Sequence, residues 1–256
     1  MRNKIVLIFT LALALSACAT APAKQITVAP AANAQKIPAA VPELADASVA
    51  DLERMVAAGD IKAHVELGTR YGLGNGVEKN YDKAVALLKA AADHNDAQAQ
   101  FYMGTAYNSG AGVPKDEATA FLWFERSASQ HYAIAEYWVG FMIAYGKGGV
   151  SPTWVGALPY LWDSAVQGNP DAAFLLGYAY DKGPGIDRNP KAAAYWYRRA
   201  DWDQRIATNT FNGKAEYNLS LLIKHGEAEW EPDDPGAALQ GKGAAGAPKA
   251  RSEDGK

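Results

Sequence analysis

The sequence is poor in the features on which several classes of protein depend. Cys18 is the single cysteine among 256 residues, so the chain cannot form an internal disulfide bond. The formal net charge is −3 and the basic residues are not clustered, which argues against nucleic acid as a partner. No apolar run reaches the ~20 residues that a membrane-spanning helix requires. What remains is a composition typical of a globular protein, with 49% hydrophobic and 21% charged residues.

Motifs for catalysis and metal binding are also missing. The four histidines are scattered and form no H-E-x-x-H zinc motif, and no G-x-S-x-G nucleophile elbow is present. The glycine-rich run at 72–76 follows a predicted helix rather than a strand, which excludes a dinucleotide-binding loop. We therefore predict no catalytic residue, no metal site and no cofactor.

The N-terminus has the organisation of a secretory signal. Arg2 and Lys4 precede an apolar run at residues 5–15, which has the length of a signal-peptide core. The run ends in the sequence L-S-A-C at residues 15–18, which resembles the bacterial lipobox. An ordinary cleaved signal peptide followed by an unrelated cysteine is the alternative interpretation.

The lipobox resemblance implies that residues 1–17 are removed and that Cys18 carries a diacylglycerol and a third acyl chain. Two or three acyl chains are enough for stable attachment to a membrane. Ala19 stands where, in enteric bacteria, an aspartate retains a lipoprotein in the inner membrane. The resemblance therefore implies an outer-membrane protein that faces the periplasm.

Composition divides the mature chain into three parts. Residues 18–47 are rich in Ala and Pro and are predicted to be a flexible tether. Residues 227–256 are rich in Gly, Ala, Pro and charge, and are predicted to be a disordered tail. Trp230 in this tail is either a cap that packs back on the fold or a short docking motif. Residues 48–226 form the predicted folded domain.

The folded domain repeats itself about every 36 residues. Each copy has a glycine that follows an apolar residue, and a small residue stands five positions earlier. The glycines are Gly68, Gly104, Gly140 and Gly177, and the small residues are Ala63, Ala99, Ala135 and Ala172. Such a period predicts a solenoid of stacked helical hairpins. Because glycine within a helix costs ~1 kcal/mol relative to alanine, its recurrence predicts a neighbouring helix too close for a Cβ atom.

Each copy continues with a glycine-rich loop and a second helix. The predicted capping residues of the second helices are Asn80, Asp116, Thr153 and Asn189. Large residues are predicted to fill the space between hairpins at Leu87, Trp123, Tyr160 and Trp196. A helix that begins after Ser48 is expected to close one end, and a fifth copy begins at Lys214. Pro159 and a longer connection at 201–213 predict irregularities.

The pattern A-x-x-x-L-G-x-x-Y-x-x-G-x-G-V followed by K-A-x-x-W-x-x-x-A resembles the Sel-1-like repeat, a relative of the tetratricopeptide repeat. Residues 99–128 match it best, and the resemblance extends over about 48–226. It implies an all-α, right-handed solenoid of antiparallel helix pairs with a concave groove. It also implies an adaptor that binds proteins in envelope assembly, secretion or host contact.

The resemblance to tetratricopeptide repeats places residues three before and one after each glycine in the groove. The candidate partner-binding residues are Phe101, Tyr137, Phe141, Phe174, Tyr178 and Tyr217, with Lys182 and Lys224 at the rim. These aromatic residues either contact a partner or only pack neighbouring hairpins together. We expect a lipid-anchored scaffold that binds a protein and is not an enzyme. The alternative is an envelope enzyme that acts on cell wall or polysaccharide through a site without a recognisable motif.

Overall fold

The computed structural model of the chain describes residues 42–229. Within this range the regular secondary structure is helical. A short 3₁₀ turn at Pro42–Leu44 precedes α1 (Val49–Ala57), α2 (Ile61–Leu73), α3 (Tyr81–Asp93), α4 (Ala97–Ser109), α5 (Glu117–Ala128), α6 (Ala133–Tyr145), α7 (Trp154–Val166), α8 (Pro170–Lys182), α9 (Pro190–Thr208) and α10 (Gly213–Lys224). The predicted signal peptide, Cys18 and Trp230 lie outside the described residues.

The helices pack as consecutive pairs, in which α2, α4, α6 and α8 each contact the helix that follows. The two helices of a pair are antiparallel. In the first pair, Gly68 of α2 faces Leu88 of α3. Gly72, one turn further along α2, faces Ala84, which lies one turn earlier on α3. Each pair contacts the next through its second helix. The predicted all-α solenoid of helix pairs is therefore confirmed. None of the described helices combines the length and apolarity needed to cross a bilayer.

Side-chain caps start the second helix of each pair, as predicted. Asn80, Asp116, Thr153 and Asn189 each accept a hydrogen bond from a backbone N–H in the first turn. The first helices of the first three pairs end at a glycine with positive φ, such as Gly74 at 77°. The fourth pair differs, because Gly183 has a φ of −67° and Gly185 takes the left-handed conformation instead.

The recurrent glycines lie where the two helices of a pair come closest. A Cβ atom on Gly104 would stand 2.6 Å from the ring of Phe124, and one on Gly177 would stand 2.6 Å from the ring of Tyr197. In the other two pairs Leu88 and Leu161 occupy the same space at 2.9 and 2.8 Å. The close approach predicted from the sequence is confirmed.

The large residues that fill this space within each pair each stand one position after a residue that the sequence predicted to lie between hairpins. Phe124 is 0% exposed, whereas its neighbour Trp123 is half-buried and carries Arg126 over its ring at 4.7 Å. Leu87 and Tyr160 are also half-buried, and only Trp196 of the predicted set is buried. A helix turns 100° per residue, so a shift of one position moves a side chain from the helix interface toward the surface.

Packing begins before α1. The guanidinium group of Arg70, in α2, donates hydrogen bonds to the backbone carbonyl oxygens of Leu44, Ala45 and Ala47 at 2.7–3.0 Å. Arg70 also forms a buried ion pair with Glu66, with 2.7 Å between Nε and Oε1. Residues 42–47 are thereby held against α2, and Ser48 caps α1 as predicted.

The C-terminal end departs further from the predicted pattern. The connection predicted at 201–213 is wrong over most of its length, because α9 continues as a helix to Thr208. The fifth copy is confirmed as α10, with the exposed Ser220 in the glycine position. Helix α7 continues through Pro159.

Candidate functional site

A continuous row of aromatic rings crosses the third and fourth repeats. We call it the aromatic lane, and it consists of Tyr137, Phe141, Tyr145, Trp154 and Tyr178. Successive ring centroids along this row are 6.2, 4.8, 5.3 and 5.2 Å apart. Trp154 is buried, while the other four side chains are half-buried. The lane therefore has a packed base and an accessible row of rings.

Helix geometry explains the alignment. Tyr137, Phe141 and Tyr145 are spaced four residues apart on α6, so they lie along one face of that helix. Trp154 is the first residue of α7, and Tyr178 comes from α8. The lane thus joins three helices and depends on the stacking of two repeats.

The structure brings three of the predicted groove residues together in the lane, namely Tyr137, Phe141 and Tyr178. Phe101 is buried against the rings of Phe124 and Tyr132, so we leave it out of the candidate contact surface. Phe174 is half-buried, with its ring centroid 5.8 Å from that of the buried Tyr197.

The remaining predicted residues lie toward the C-terminal end. Tyr217 on α10 is 64% exposed, and it has the groove position of the last, incomplete copy. Lys182 forms an ion pair with Asp181, with 3.2 Å between Nζ and Oδ2, and Lys224 is exposed at the end of α10. Their contact with a partner stays a prediction.

Two lane residues were not among the predicted contacts. Tyr145 continues the four-residue spacing of Tyr137 and Phe141, so this spacing could have identified it. Trp154 follows a loop and carries no such periodicity. Its place in the lane results from the packing of α7 against α6 and α8.

The lane is crowded and has little charge. Burial raises the pKa of Tyr145 to about 12, and it also raises the pKa of Tyr137. Asp171 on α8 lies near Tyr137, and burial raises the pKa of this carboxyl group, while Lys214 on α10 opposes the shift. The lane is therefore suited to apolar and aromatic side chains rather than to a highly charged ligand.

A buried carboxylate lies next to the lane in the sequence. Glu136 accepts a hydrogen bond from Gln167 Nε2 at 2.7 Å, and its Oε1 is 3.3 Å from His131 Nδ1. Burial, and then the nearby Asp163, raise the pKa of Glu136. The equivalent position of the second repeat holds Gln100, whose Oε1 accepts a hydrogen bond from Gln130 at 2.8 Å.

No group of three or more His, Cys, Asp or Glu side chains within residues 42–229 is arranged to hold a metal ion. His64 lies in α2 and His94 at the end of α3, while His131 precedes α6 and His225 follows α10. The lane itself provides rings, tyrosine hydroxyl groups and the neighbouring carboxyl group of Asp171.

Comparison with known protein families finds repeats that agree with the helix pairs of the structure. The family model of the Sel1 repeat matches residues 61–96, 97–132, 133–152 and 170–200. The third match ends before α7, the helix that contains Pro159. Comparison with curated protein sequences finds no match.

Two solved structures share both fold and sequence similarity with the chain. The crystal structure of a Sel1 repeat protein from Oxalobacter formigenes is 26% identical, with a TM-score of 0.60, over 77% of this chain and 75% of that chain. The second is c5321, described as a protective antigen present in uropathogenic Escherichia coli strains that displays an SLR fold. It is 28% identical, with a TM-score of 0.57, over 73% of this chain. The match spans 46% of the length of that antigen.

The fold and the lane define a helical-repeat solenoid, a class that typically serves as a scaffold for protein–protein interaction. Four matches to one repeat model and the similarity to these two structures then identify the repeat. The chain carries four Sel1 repeats.

Proposed function

We propose that this protein is a lipid-anchored scaffold of the bacterial envelope that binds a protein partner through the aromatic lane. The half-buried rings of Tyr137, Phe141, Tyr145 and Tyr178, which lie in one continuous row, carry this proposal. Aromatic side chains contribute strongly at protein interfaces, because they bury a large rigid surface at a low cost in conformational entropy.

A comparison between repeats supports contact rather than packing alone. The position that holds Phe141 and Tyr178 in the third and fourth repeats holds Thr69 and Thr105 in the first two. Thr69 satisfies its hydroxyl group within its own helix, by donating to the carbonyl oxygen of Val65 at 2.8 Å. Stacking of repeats therefore does not require an aromatic ring at this position.

The lipid anchor is proposed from the sequence at 15–18 and from Cys18 as the single cysteine. Because residues 42–47 of the predicted tether are held against α2, the remaining part, 18–41, would have a root-mean-square span of roughly 27 Å as a coil and reach ~80 Å when extended. It would hold the solenoid within reach of envelope proteins while leaving the lane accessible.

The alternative of an envelope enzyme has no specific support in the described part of the chain. Hydrolytic enzymes bring a nucleophile, or several acids and bases, together in one cleft. Asp171 lies beside Tyr137 and Lys214, and the buried Glu136 is occupied by its hydrogen bond from Gln167, so neither is paired with a nucleophile in a cleft. A binding function therefore fits the arrangement better.

Substitutions in the lane test this proposal. We expect Tyr137→Ala and Tyr178→Ala each to weaken partner binding by about 30-fold, which corresponds to ~2 kcal/mol, because each removes a partly accessible ring from the contact surface. Binding and melting temperature are measured on the same preparations. Leu122→Ala, on α5 and away from the lane, is the control, because Leu122 is a large apolar residue and 55% exposed.

The paired measurement separates contact from packing. Loss of binding at an unchanged melting temperature supports the lane as the binding site. A lower melting temperature with binding intact, after correction for the folded fraction, would mean that the rings only pack repeats together.

A further inference from the structure

The second helix of the fourth repeat, α9, is longer than the second helices of the other repeats and carries an exposed apolar strip. Helix α9 has 19 residues, compared with 12 or 13 in the second helices of the other repeats. Its extension contains Trp202 and Ile206, which are 38% and 72% exposed. Arg198 precedes them by one turn, and residues spaced by four lie on one helix face. Arg198, Trp202 and Ile206 therefore form a single strip.

The chain that follows α10 returns to this helix. Arg188 forms two hydrogen bonds with the carboxylate of Glu227, at 2.6 and 3.0 Å, just before α9 begins. Ala228 packs against the core of the last repeats, and Arg198 donates a hydrogen bond to the carbonyl oxygen of Glu229. The chain thus runs along α9 from its first turn toward its C-terminal end.

Distance and charge fit a continuation of this path. Ile206 lies eight residues beyond Arg198, or ~12 Å along the helix, which three or four extended residues can cover. The sequence after Glu229 is W-E-P-D-D-P at 230–235, a tryptophan followed by acidic residues. Arg205, on the same extension, is paired with Asp201 and has its guanidinium group 4.2 Å from the ring centroid of Phe211.

Up to Glu229, where the described part of the chain ends, no second helix follows α10. Ser220 replaces the glycine that allows close approach in the complete repeats. A close-packed helix from the same chain is therefore not expected on that face. The apolar strip on α9 needs a different cover.

We propose that residues 230–235 lie along the strip on α9, with Trp230 packed against Trp202 and Ile206. The segment then closes the C-terminal end of the solenoid as an extended cap. A second copy of the chain and a separate protein are the other possible occupants, and the experiment distinguishes them.

A double-mutant cycle on the full chain tests the contact. We expect Trp230→Ala to lower the melting temperature by about 3 °C, and Ile206→Ala to lower it in the wild-type chain but to add little in the Trp230→Ala chain. Leu122→Ala, an exposed apolar site on α5, is the matched control and should add fully to Trp230→Ala. Additive effects of Trp230 and Ile206, or no effect of Trp230→Ala, overturn the proposal.

Hydrogen exchange and mass in solution complete the test. A chain that ends at Glu229 should exchange its amide protons faster at 202–211 than the full chain does, while 117–128 in α5 remains unchanged. Equal exchange at 202–211 overturns the proposal. A full chain that is dimeric and becomes monomeric on Ile206→Asp assigns the strip to a second copy instead.

Discussion

Four glycines set the distance between the two helices of each repeat. At Gly104 the space that a side chain would occupy is filled by the ring of Phe124, which is itself fully buried. Neither partner can move easily, because protein interiors are close-packed. The same helices tolerate a side chain only where the neighbour is small or distant.

Gly104→Val should therefore lower the free energy of unfolding by about 2–3 kcal/mol, because the added atoms collide with Phe124. Gly72→Ala is the matched control, since its Cβ atom would lie 3.8 Å from that of Ala84, an ordinary contact. That substitution should be neutral or stabilise by up to ~1 kcal/mol. Denaturant unfolding measures both, and a Gly104→Val protein as stable as wild type would contradict the close approach.

Glu136 is a buried acid whose pKa is raised from its ordinary value of 4.5 by burial and by Asp163. The folded state therefore favours the protonated carboxyl group. Stability from this group is fully present below the ordinary pKa and is lost as the pH rises through the raised pKa.

We expect Glu136→Gln to be more stable than wild type by about 1 kcal/mol at pH 7 and nearly equal to it at pH 4. The amide keeps an acceptor for Gln167 and removes the buried charge. The reverse change, Gln100→Glu in the second repeat, should be destabilising at pH 7 and close to neutral at pH 4. Unfolding curves at the two pH values give the comparison, and a pH-independent difference would contradict this explanation.

At the scale of the helix, the second helix of the second repeat carries two adjacent aromatic residues with different roles. Phe124→Ala should cost about 3–5 kcal/mol in unfolding free energy, because it leaves a cavity against Gly104. Trp123→Ala should cost roughly 1–2 kcal/mol, because Trp123 is half-buried and loses mainly its contact with Arg126. If Trp123→Ala destabilised more than Phe124→Ala, the assignment of the interior position would be wrong.

The same pair shows what sequence reasoning could reach. The period, the glycines, the buried alanines and the capping residues were predictable, because each is local and recurs in every copy. The residue that packs against the glycine of each pair was not identified from the sequence, because Trp123 and Phe124 are both large. It could have been found from the buried alanine of each second helix, since Phe124 follows Ala120 by four residues, as Leu88 follows Ala84.

The extension of α9 was not predictable from apolar periodicity. Residues 201–208 are mostly polar, and the helix is supported there by ion pairs at four-residue spacing. Arg199 Nε lies 2.7 Å from Asp203 Oδ2, and Arg205 Nη2 lies 2.8 Å from Asp201 Oδ2. The lane was predictable along α6, whereas Trp154 joins it only through the packing of α7 on its neighbours.

At the scale of the whole molecule, the proposed function requires an N-terminal lipid anchor and a solenoid that binds a partner. Cys18→Ser should block lipid attachment, because the thiol is the acceptor of the first acyl chains in the lipobox that the sequence resembles. The variant should move to the soluble fraction or accumulate with an uncleaved signal peptide. Membrane fractionation and acyl labelling identical to wild type would show that Cys18 is not the anchor.

A solenoid also spreads its stability over neighbouring repeats rather than over one central core. The buried residues of the described range form three clusters: a small one between α1 and α2, one from α2 to α6, and one from α6 to α10. A destabilising change in the second repeat, such as Gly104→Val, can therefore leave the third and fourth repeats folded. The aromatic lane would then remain available to a partner.

The claim that the lane binds a protein is tested most directly by site-specific photocrosslinking in intact cells. A photoreactive residue replaces Phe141 or Tyr145 in the lane. In the control it replaces Leu122 on α5. Each chain is expressed at its natural level. The account predicts one discrete crosslinked adduct from the lane positions and none from Leu122. Adducts that form at Leu122 while both lane positions stay free would contradict it.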